Sequence, residues 1–250
     1  MTIQGFSEQL AQAARDLGSE NVETTLETAV RLAVELLDDC HGAGVTLVRR
    51  DKTLQTPVAT ADWVARGDAL QYELQEGPCV DAVWVDEIVY CNDLAQEQRW
   101  PSWAPRVVDE LGVRSMLCLQ LFTDHDKVGA LNLYSSHPNG FIGVSDQHEA
   151  QALASHASVA LVAALEIQHL NTVVTNRAVI GQAEGILMER FDIEADRAFH
   201  MLQRASSHTN IKLHQIAVEF VRTRHLPSSD AHHGQTPGAD VDQGRLSAGS

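Results

Sequence analysis

The stretch from Asn176 to Arg224 constrains the fold most, because its apolar residues recur at the helical period through three short segments. The first helix is predicted to end near Phe191-Asp192, the second to run from about Glu194 to Ser207, and Asn210 to cap the start of the third. Three short amphipathic helices with short joints predict a small bundle. The apolar stripes comprise Val173, Ile180, Ala183, Leu187 and Met188, then Ala195, Ala198, Phe199, Leu202 and Ala205, then Leu213, Ile216, Ala217, Phe220 and Val221.

Many positions of this stretch agree in residue type and spacing with one known signature. They are Arg177, Ile180, Gln182, Ala183, Gly185, Ile186, Leu187, Met188 and Arg190, followed by Ala198, Phe199, Leu202, Ser206, Asn210, Lys212, Leu213 and Ala217. On these residues the stretch resembles the ANTAR domain, a three-helix RNA-binding antitermination module. Many members have lysine before the signature glycine, where this chain has Glu184. The resemblance implies that a dimer recognises two small hairpins in nascent RNA and so favours an antiterminator.

The predicted RNA-binding face surrounds the joint between the second and third helices. Polar side chains there can read splayed loop bases while Arg and Lys hold phosphates. The face consists of Arg204, Ser207, His208, Thr209, Asn210 and Lys212, with Arg197 and Arg177 as secondary contacts. Helix capping explains Ser207 and Asn210 equally well, and a solvated helix surface is the alternative for Arg204 and Lys212. Gly185 is expected to permit close packing between helices.

Charge is distributed unevenly along the chain. The net charge is −16, yet residues 171–225 hold seven Lys and Arg against six Asp and Glu. A near-neutral segment predicts RNA binding that is selective in geometry and modest in its electrostatic component. Two other function classes stay open. One is a DNA-binding regulator, since the last two helices mimic a helix-turn-helix; the other is a sensor or interaction module without RNA binding.

Before residue 170 the apolar period alternates between that of helices and that of strands. The patterns predict strands at Ala43–Arg50, Leu54–Thr60, Ile88–Cys91, Ser115–Phe122 and Val128–Ser135, and helices at Val22–Cys40, Asp62–Glu73 and Trp100–Leu111. A loop is predicted between the second of these helices and the strand at Ile88. The last two strands form a central antiparallel hairpin. Helices on both sides of an antiparallel sheet place the domain in the α+β class.

Several short motifs accompany this order of elements. They are Tyr72-Glu73-Leu74, Gln75 to Ala82 (QEGPCVDA), Asn92-Asp93-Leu94, Arg99-Trp100-Pro101, Gly112 to Ser115 (GVRS) and Gly129 to Leu133 (GALNL). With them, residues 22–165 resemble the GAF domain of the actinobacterial kind that precedes an ANTAR module. The implied organisation is an N-terminal helix over 1–20, a GAF sensor domain over 21–165, an ANTAR domain over 166–226 and a disordered tail over 227–250.

The residues proposed to line a GAF ligand pocket are Glu76, Cys79, Cys91, Asp93, Trp100 and Trp103. For Cys79 the alternatives are a thiolate activated at a helix start and a small core residue after Pro78, and the core residue is favoured. No CxxC pair occurs, and His41 and His125 look isolated, so no metal or cofactor is expected. No catalytic constellation is visible, which predicts a protein that is not an enzyme.

One long helix is predicted to join the two domains. From Asp146 there is no Pro or Gly until Gly181, and the apolar repeat continues through the interval. About 45 residues of helix favour a coiled coil and a parallel homodimer, with alanines allowing close approach. The alternative is a helix broken near Asn171–Asn176 and packed back within one chain. The start lacks a signal-peptide pattern and no run of about 18 apolar residues occurs, which predicts a cytoplasmic protein without a membrane span.

Overall fold

The computed structural model describes residues 12, 17, 21–122 and 127–227, without the side chains of 144–146. The predicted N-terminal helix and tail, and His125, therefore fall almost wholly outside the described residues. The chain divides into two compact units, Met1–His169 and Leu170–Ser250. The elements are α1 (Val22–Leu36), β1 (Gly42–Val48), β2 (Leu54–Ala59), α2 (Asp62–Leu74), α3 (Pro78–Trp84), β3 (Ile88–Cys91), a 3-10 turn (Leu94–Gln96), α4 (Ala104–Leu111), β4 (Ser115–Phe122), β5 (Lys127–Ser135), α5 (Val144–Phe191), α6 (Ala195–Thr209) and α7 (Leu213–Thr223).

The described strands of the first unit form one sheet in the order β2-β1-β5-β4-β3, and all four pairs are antiparallel. The predicted hairpin of β4 and β5 is at its centre, with Leu117 opposite Leu133 and Leu119 opposite Leu131. Nearly all consecutive residues of β4 and β5 are buried. Since side chains alternate between the two faces of a strand, both faces of these two strands are therefore covered. The α+β class is therefore confirmed.

The two faces of the sheet pack against different helices. Leu117, Leu119 and Leu121 pack with α1 and with the first turns of α5, through residues such as Leu153 and Leu161. On the other face, residues including Met116 and Cys118 pack with α2, α3, α4 and the tryptophans of the 100–103 segment. Four of the six alanines predicted to face a partner helix instead belong to the core that contains Leu117. Ala154 and Ala157 are buried in that core, and Ala152 and Ala160 are partly buried against it.

Some local predictions in this unit were wrong. The helix predicted to reach Cys40 ends at Leu36. The predicted loop before β3 contains a short helix, α3, which begins at Pro78 after Gly77 at φ 136°, in agreement with the interpretation of Cys79 as a residue near a helix start. Proline suits that position because its missing N–H would be unpaired there anyway. The helix predicted from Trp100 begins at Ala104. Pro105 has no N–H to donate to the carbonyl of Pro101, so a helix that continued across that point would lose this hydrogen bond and is disfavoured.

The long helix is unbroken. α5 runs for 48 residues from Val144 to Phe191, so the alternative of a break near Asn171–Asn176 is wrong. By length and composition alone, its Gln147–Phe191 part would also suffice to cross a membrane. A core helix of a soluble domain meets the same criteria, and Leu153, Ala157 and Leu161 of this helix are buried against the sheet.

The second unit contains the end of α5 with α6 and α7 around a small core. The core consists of Ala183, Leu187, Ala198, Leu202, Ile216, Ala217 and Phe220. The first helix ends as predicted, with Asp192 left-handed at φ 51°. The prediction that Asn210 begins the third helix was wrong. Asn210 is left-handed at φ 54° and ends α6, and Lys212 precedes α7. Asparagine tolerates the left-handed region better than most residues, which suits it to end a helix.

Candidate functional site

A buried carboxylate is the most unusual feature of the GAF-like unit. Asp68 on α2 has no exposed surface. Its Oδ1 accepts hydrogen bonds from the hydroxyl of Tyr134 and from Nδ2 of Asn132 at 2.9 Å, and its Oδ2 accepts one from Oγ1 of Thr56 at 2.8 Å. Burial raises the pKa of Asp68 to about 6, although these hydrogen bonds favour the charged form. The sheet and α2 thus hold a titratable group between them.

The hydrogen bonds continue beyond Asp68 across the sheet face. The hydroxyl of Tyr72 lies 2.7 Å from Oγ1 of both Thr46 and Thr56, and Nδ2 of Asn132 also donates to Thr46 at 2.8 Å. Nδ2 of Asn132 therefore uses both its hydrogens, whereas its buried Oδ1 accepts no hydrogen bond within the described structure. A buried carboxylate beside an unpaired acceptor suits a ligand that brings hydrogen-bond donors. We call Thr46, Thr56, Asp68, Gln71, Tyr72, Asn132 and Tyr134 the polar cluster.

The polar cluster was missed in the sequence, although a signal for it exists. Asp68 and Gln71 follow Val64 at the spacing of one helix face, and all three are buried. In β5, Asn132 and Tyr134 alternate with Leu131 and Leu133, so polar residues occupy one buried face of the strand. Polar residues at positions that the helix or strand period predicts to be buried indicate such a cluster.

The predicted pocket residues divide into a buried and a surface group. Cys79, Cys91, Trp100 and Trp103 lie together in one core cluster, and the rings of Trp100 and Trp103 are 6.0 Å apart. Burial raises the pKa of the Cys79 thiol far above its usual range, and nearby Asp68 adds to this effect. Burial likewise raises the pKa of Cys91 to about 12. Both thiols are therefore protonated, as expected of small core residues.

The carboxylates of Glu76 and Asp93 form hydrogen bonds with residues distant in sequence. The carboxylate of Glu76 accepts hydrogen bonds from the backbone N–H of Ser102 at 2.8 Å and of Trp103 at 3.2 Å. These bonds lower the pKa of Glu76. Burial acts to raise the pKa of Asp93, but the bidentate hydrogen bonds from Arg114 outweigh it, and the pKa is lowered. Of the six pocket residues, the structure thus brings Glu76 against Trp103 and leaves Asp93 paired with Arg114.

In the second unit, several predicted RNA-binding residues share one face of α6. Arg197, Arg204 and Ser207 recur at helical spacing and are exposed, opposite the buried Ala198 and Leu202. An open cleft of about 510 Å³ lies on this face. Its lining residues are His200, Gln203, Arg204, Ser206, Ser207 and Leu213. The cleft combines a guanidinium, hydroxyls, an amide and an imidazole, which is the chemistry that contacts phosphates and base edges.

The joint between α6 and α7 presents the remaining predicted residues. The Ser206 hydroxyl donates to the carbonyl of Ile211 at 2.6 Å, and the Thr209 hydroxyl donates to the carbonyl of Ala205 at 2.7 Å. These bonds fix the joint, and His208, Asn210 and Lys212 around it are exposed. Thr209 therefore has a structural role in its own helix. Arg177, on α5, is also exposed.

The cations of this unit differ in their partners. Arg222 is held by Glu219 at 2.7 Å, and Arg190 donates to the carbonyl of Arg224 at 2.8 Å. Among the described residues, by contrast, no carboxylate forms an ion pair with Arg197, Arg204 or Lys212. Unpaired surface cations beside a polar cleft are available for phosphate groups.

A second open cleft, of about 690 Å³, lies elsewhere in this unit. It is lined by Gln182, Gly185, Ile186, Glu189, Arg190, Val221 and Arg224. A Cβ added at Gly185 would meet no atom within 4 Å. The expectation that Gly185 permits close packing between helices was therefore wrong within the chain, because this glycine faces the open cleft.

The chain matches two known domain families. Residues 19–162 match the GAF domain and residues 168–221 match the ANTAR domain. The comparison with curated proteins found no match. Among solved structures, the GAF domain of an Acinetobacter phosphoenolpyruvate-protein phosphotransferase is similar at 12% identity and a TM-score of 0.51, over 68% of this chain and 99% of that one.

Two other solved structures share this fold. One is the bacteriophytochrome RpBphP3 from R. palustris, with 12% identity and a TM-score of 0.54, over 82% of this chain and 47% of that one. The other is reduced fRMsr of Staphylococcus aureus, with 16% identity and a TM-score of 0.50, over 62% and 94%. At such identities the likeness concerns the fold.

Proposed function

Since this chain belongs to the GAF–ANTAR family of regulators, we propose that it binds paired hairpins in nascent RNA through its ANTAR domain and thereby promotes transcription antitermination. Its GAF domain senses a small-molecule signal. ANTAR domains bind RNA and GAF domains sense ligands, so both domains have regulatory roles. We expect the protein to act as a homodimer in the cytoplasm, where transcripts emerge.

The observation that carries the proposal is the unpaired cationic face around the 510 Å³ cleft. Arg204 lines the cleft, and Arg197 lies two helical turns before it on the same helix. Lys212 stands at the start of α7. Each phosphate contact contributes roughly one unit to the slope of log affinity against log salt concentration, so three cations make only a weak electrostatic contribution to RNA binding. Recognition therefore relies on hairpin geometry, with Ser207, His208 and Asn210 positioned to contact loop bases.

A homodimer would place two such faces on one RNA. On α5, Val159, Leu170 and Val174 are 73%, 55% and 67% exposed, and large exposed apolar residues on a helix favour a partner helix. Val159, Ala163, Leu170 and Val174 recur at spacings typical of one helix face. We assign this stripe to a second copy of the chain, in a parallel coiled coil.

The polar cluster supports the sensing role of the GAF domain. The buried carboxylate of Asp68 and the unpaired Oδ1 of Asn132 are hydrogen-bond acceptors within a packed core. A signal molecule of matching chemistry carries N–H or O–H donors, for example an amine, an amide or a polyol. Its binding would compete with Tyr134 and Thr56 for Asp68.

The test is a binding measurement on the purified full chain. An RNA with two hairpins is compared with duplex DNA of equal length, with salt varied. We expect saturable binding to the RNA and at least about tenfold weaker binding to the DNA, with a shallow salt dependence. Preference for the duplex would instead support a DNA-binding regulator, and binding to neither would leave a sensor or interaction module.

A further inference from the structure

Three potential metal ligands meet at one end of the sheet. In the β1–β5 pair, Gly42 lies opposite Tyr134, and the N–H of His41 donates to the carbonyl of Tyr134 at 2.9 Å. Asp39 lies in the turn between α1 and β1, His41 comes just before β1, and His137 lies in the bend just after β5. Because the start of β1 and the end of β5 are neighbours in the sheet, the topology brings Asp39, His41 and His137 together at this end.

The side chains of these three residues are in contact. Nδ1 of His137 lies 3.1 Å from Oδ1 of Asp39, and the rings of His41 and His137 are edge to face with centroids 4.7 Å apart. One potential ligand atom from each residue lies within 4.8 Å of those of the other two. The earlier description of His41 as isolated was therefore wrong, because its neighbour is distant in sequence.

The backbone beneath these side chains is well fixed. The N–H of His137 donates to Oγ of Ser135 at 3.2 Å, and its carbonyl accepts a hydrogen bond from Ser115 at 2.7 Å. The side chains themselves are accessible, with 64% of His137 and 45% of Asp39 exposed. A fixed backbone with exposed side chains allows small rotations onto an ion at little cost.

We propose that Asp39, His41 and His137 bind a divalent transition-metal ion of the zinc class. Two imidazoles and one carboxylate are donors that such ions prefer. With metal–ligand bonds of about 2.1 Å, tetrahedral ligand atoms lie roughly 3.4 Å apart. Asp39 and His137 already have nearly this separation, so side-chain rotation closes the site. Three protein ligands leave one position for water.

Binding has a specific consequence at His41. The N–H of Ser136 donates to Nδ1 of His41 at 3.1 Å. A neutral imidazole has one lone pair and one N–H. If Nδ1 binds the ion, its lone pair is no longer available to Ser136; if Nε2 binds, Nδ1 carries the proton. The ion therefore releases the amide of Ser136 in either case, within the segment that leads from β5 towards α5.

The test uses metal-free full-length protein, with Zn²⁺ measured by calorimetry and Co²⁺ by visible absorption. We expect one ion per chain at this site. His137→Ala and His41→Ala should weaken Zn²⁺ binding at least about 100-fold, and Asp39→Asn at least about tenfold. His156→Ala, which removes an exposed histidine of α5, and the double variant His232→Ala with His233→Ala serve as controls and should retain the site.

A second readout separates the site from incidental histidine binding. On adding Zn²⁺, the backbone amide resonance of Ser136 should shift in the wild type and in the control variants, but not in His137→Ala. Absence of saturable binding, or binding that survives His137→Ala and disappears in the His232/His233 variant, would overturn the proposal. RNA binding is measured separately, so failure here leaves the proposed function untouched.

Discussion

The two units place their polar groups in opposite ways. The GAF unit buries Asp68 with hydrogen-bond donors around it and keeps its four cysteines inside. The ANTAR unit has a core of seven buried residues, all apolar, and leaves Arg197, Arg204 and Lys212 exposed without ion pairs among the described residues. The GAF unit thus holds its distinctive polar groups in the interior, as suits a ligand sensor. The ANTAR unit holds its cationic groups on the surface, as suits a binding interface.

This contrast explains why net charge alone misleads. The acidic residues are concentrated before residue 170, where they give a net charge of −15 to the first 170 residues. They therefore make the protein acidic without lying on the predicted RNA-binding face. An acidic total is compatible with RNA binding when charge is segregated between domains.

The largest expected effect comes from the small apolar core of the ANTAR unit. Leu202→Ala removes a fully buried side chain and should cost about 3 to 5 kcal/mol, because few other core residues remain to compensate. We expect α6 and α7 to lose protection from hydrogen exchange and RNA binding to disappear, while the GAF unit stays protected. The matched control is Val218→Ala, at a position 49% exposed, which should change stability by less than about 0.5 kcal/mol. Unaltered exchange in Leu202→Ala would contradict this description.

The next effect concerns the buried carboxylate of the GAF unit. The pKa of Asp68 rises from 3.8 to about 6 on folding, so the folded state holds this proton more tightly than the unfolded chain. Its stabilising contribution is present below about pH 4 and is lost as the pH rises through 6. The loss amounts to about 3 kcal/mol.

Urea unfolding of wild type and Asp68→Asn between pH 4 and 7 measures this contribution. Relative to the variant, the wild type should lose about 2 kcal/mol of unfolding free energy over that interval, because part of the total is already lost at pH 4. Other carboxylates, such as Glu97 with its pKa of about 2, act alike in both proteins. The exposed carboxylate variant Asp109→Asn should follow the wild type. Parallel curves for wild type and Asp68→Asn would show that Asp68 titrates normally.

A smaller effect on RNA binding is expected from replacing the exposed cations of the ANTAR unit. Arg204→Ala and Lys212→Ala should each weaken RNA binding by about tenfold and reduce the salt slope by about one, if each contacts a phosphate. Arg222→Ala is the control, because Glu219 already pairs with that guanidinium. Equal effects for all three variants would mean that general charge, and not a defined face, governs binding.

The smallest effect is expected at the joint between α6 and α7. Asn210 has φ 54°, a conformation that glycine adopts without strain, so Asn210→Gly should stabilise the domain by a few tenths of a kcal/mol or leave it unchanged. Any loss of RNA affinity in this variant then reports a lost side-chain contact. Thermal unfolding and RNA binding of the same preparation distinguish helix termination from direct contact.

Local and repetitive features of the fold were predictable from the sequence. The apolar segment Ser115–Phe122 was predicted as a strand with the bounds that the structure shows, and the uninterrupted repeat after Asp146 predicted one long helix. Features that depend on partners far along the chain were not. Asp68 meets Tyr134 across 66 residues, and Asp39 meets His137 across 98.

The sequence was also ambiguous at positions where one residue type suits two structural roles. Asparagine both starts helices and ends them, so the sequence around Asn210 permitted either, and the structure places it at the end of α6. Cys79 suited both a reactive thiol and a core residue. Its burial, which depends on packing between α3 and the sheet, decides for the core residue.

The mass and affinity of the complex with RNA test the dimeric antiterminator directly. We expect two chains on one two-hairpin RNA, bound at least about tenfold more tightly than either hairpin alone, because the second contact is intramolecular. Replacing the exposed Leu170 and Val174 with lysine should abolish this gain while single-hairpin binding persists. One chain per RNA, with equal affinity for one hairpin and for two, would contradict a dimeric antiterminator.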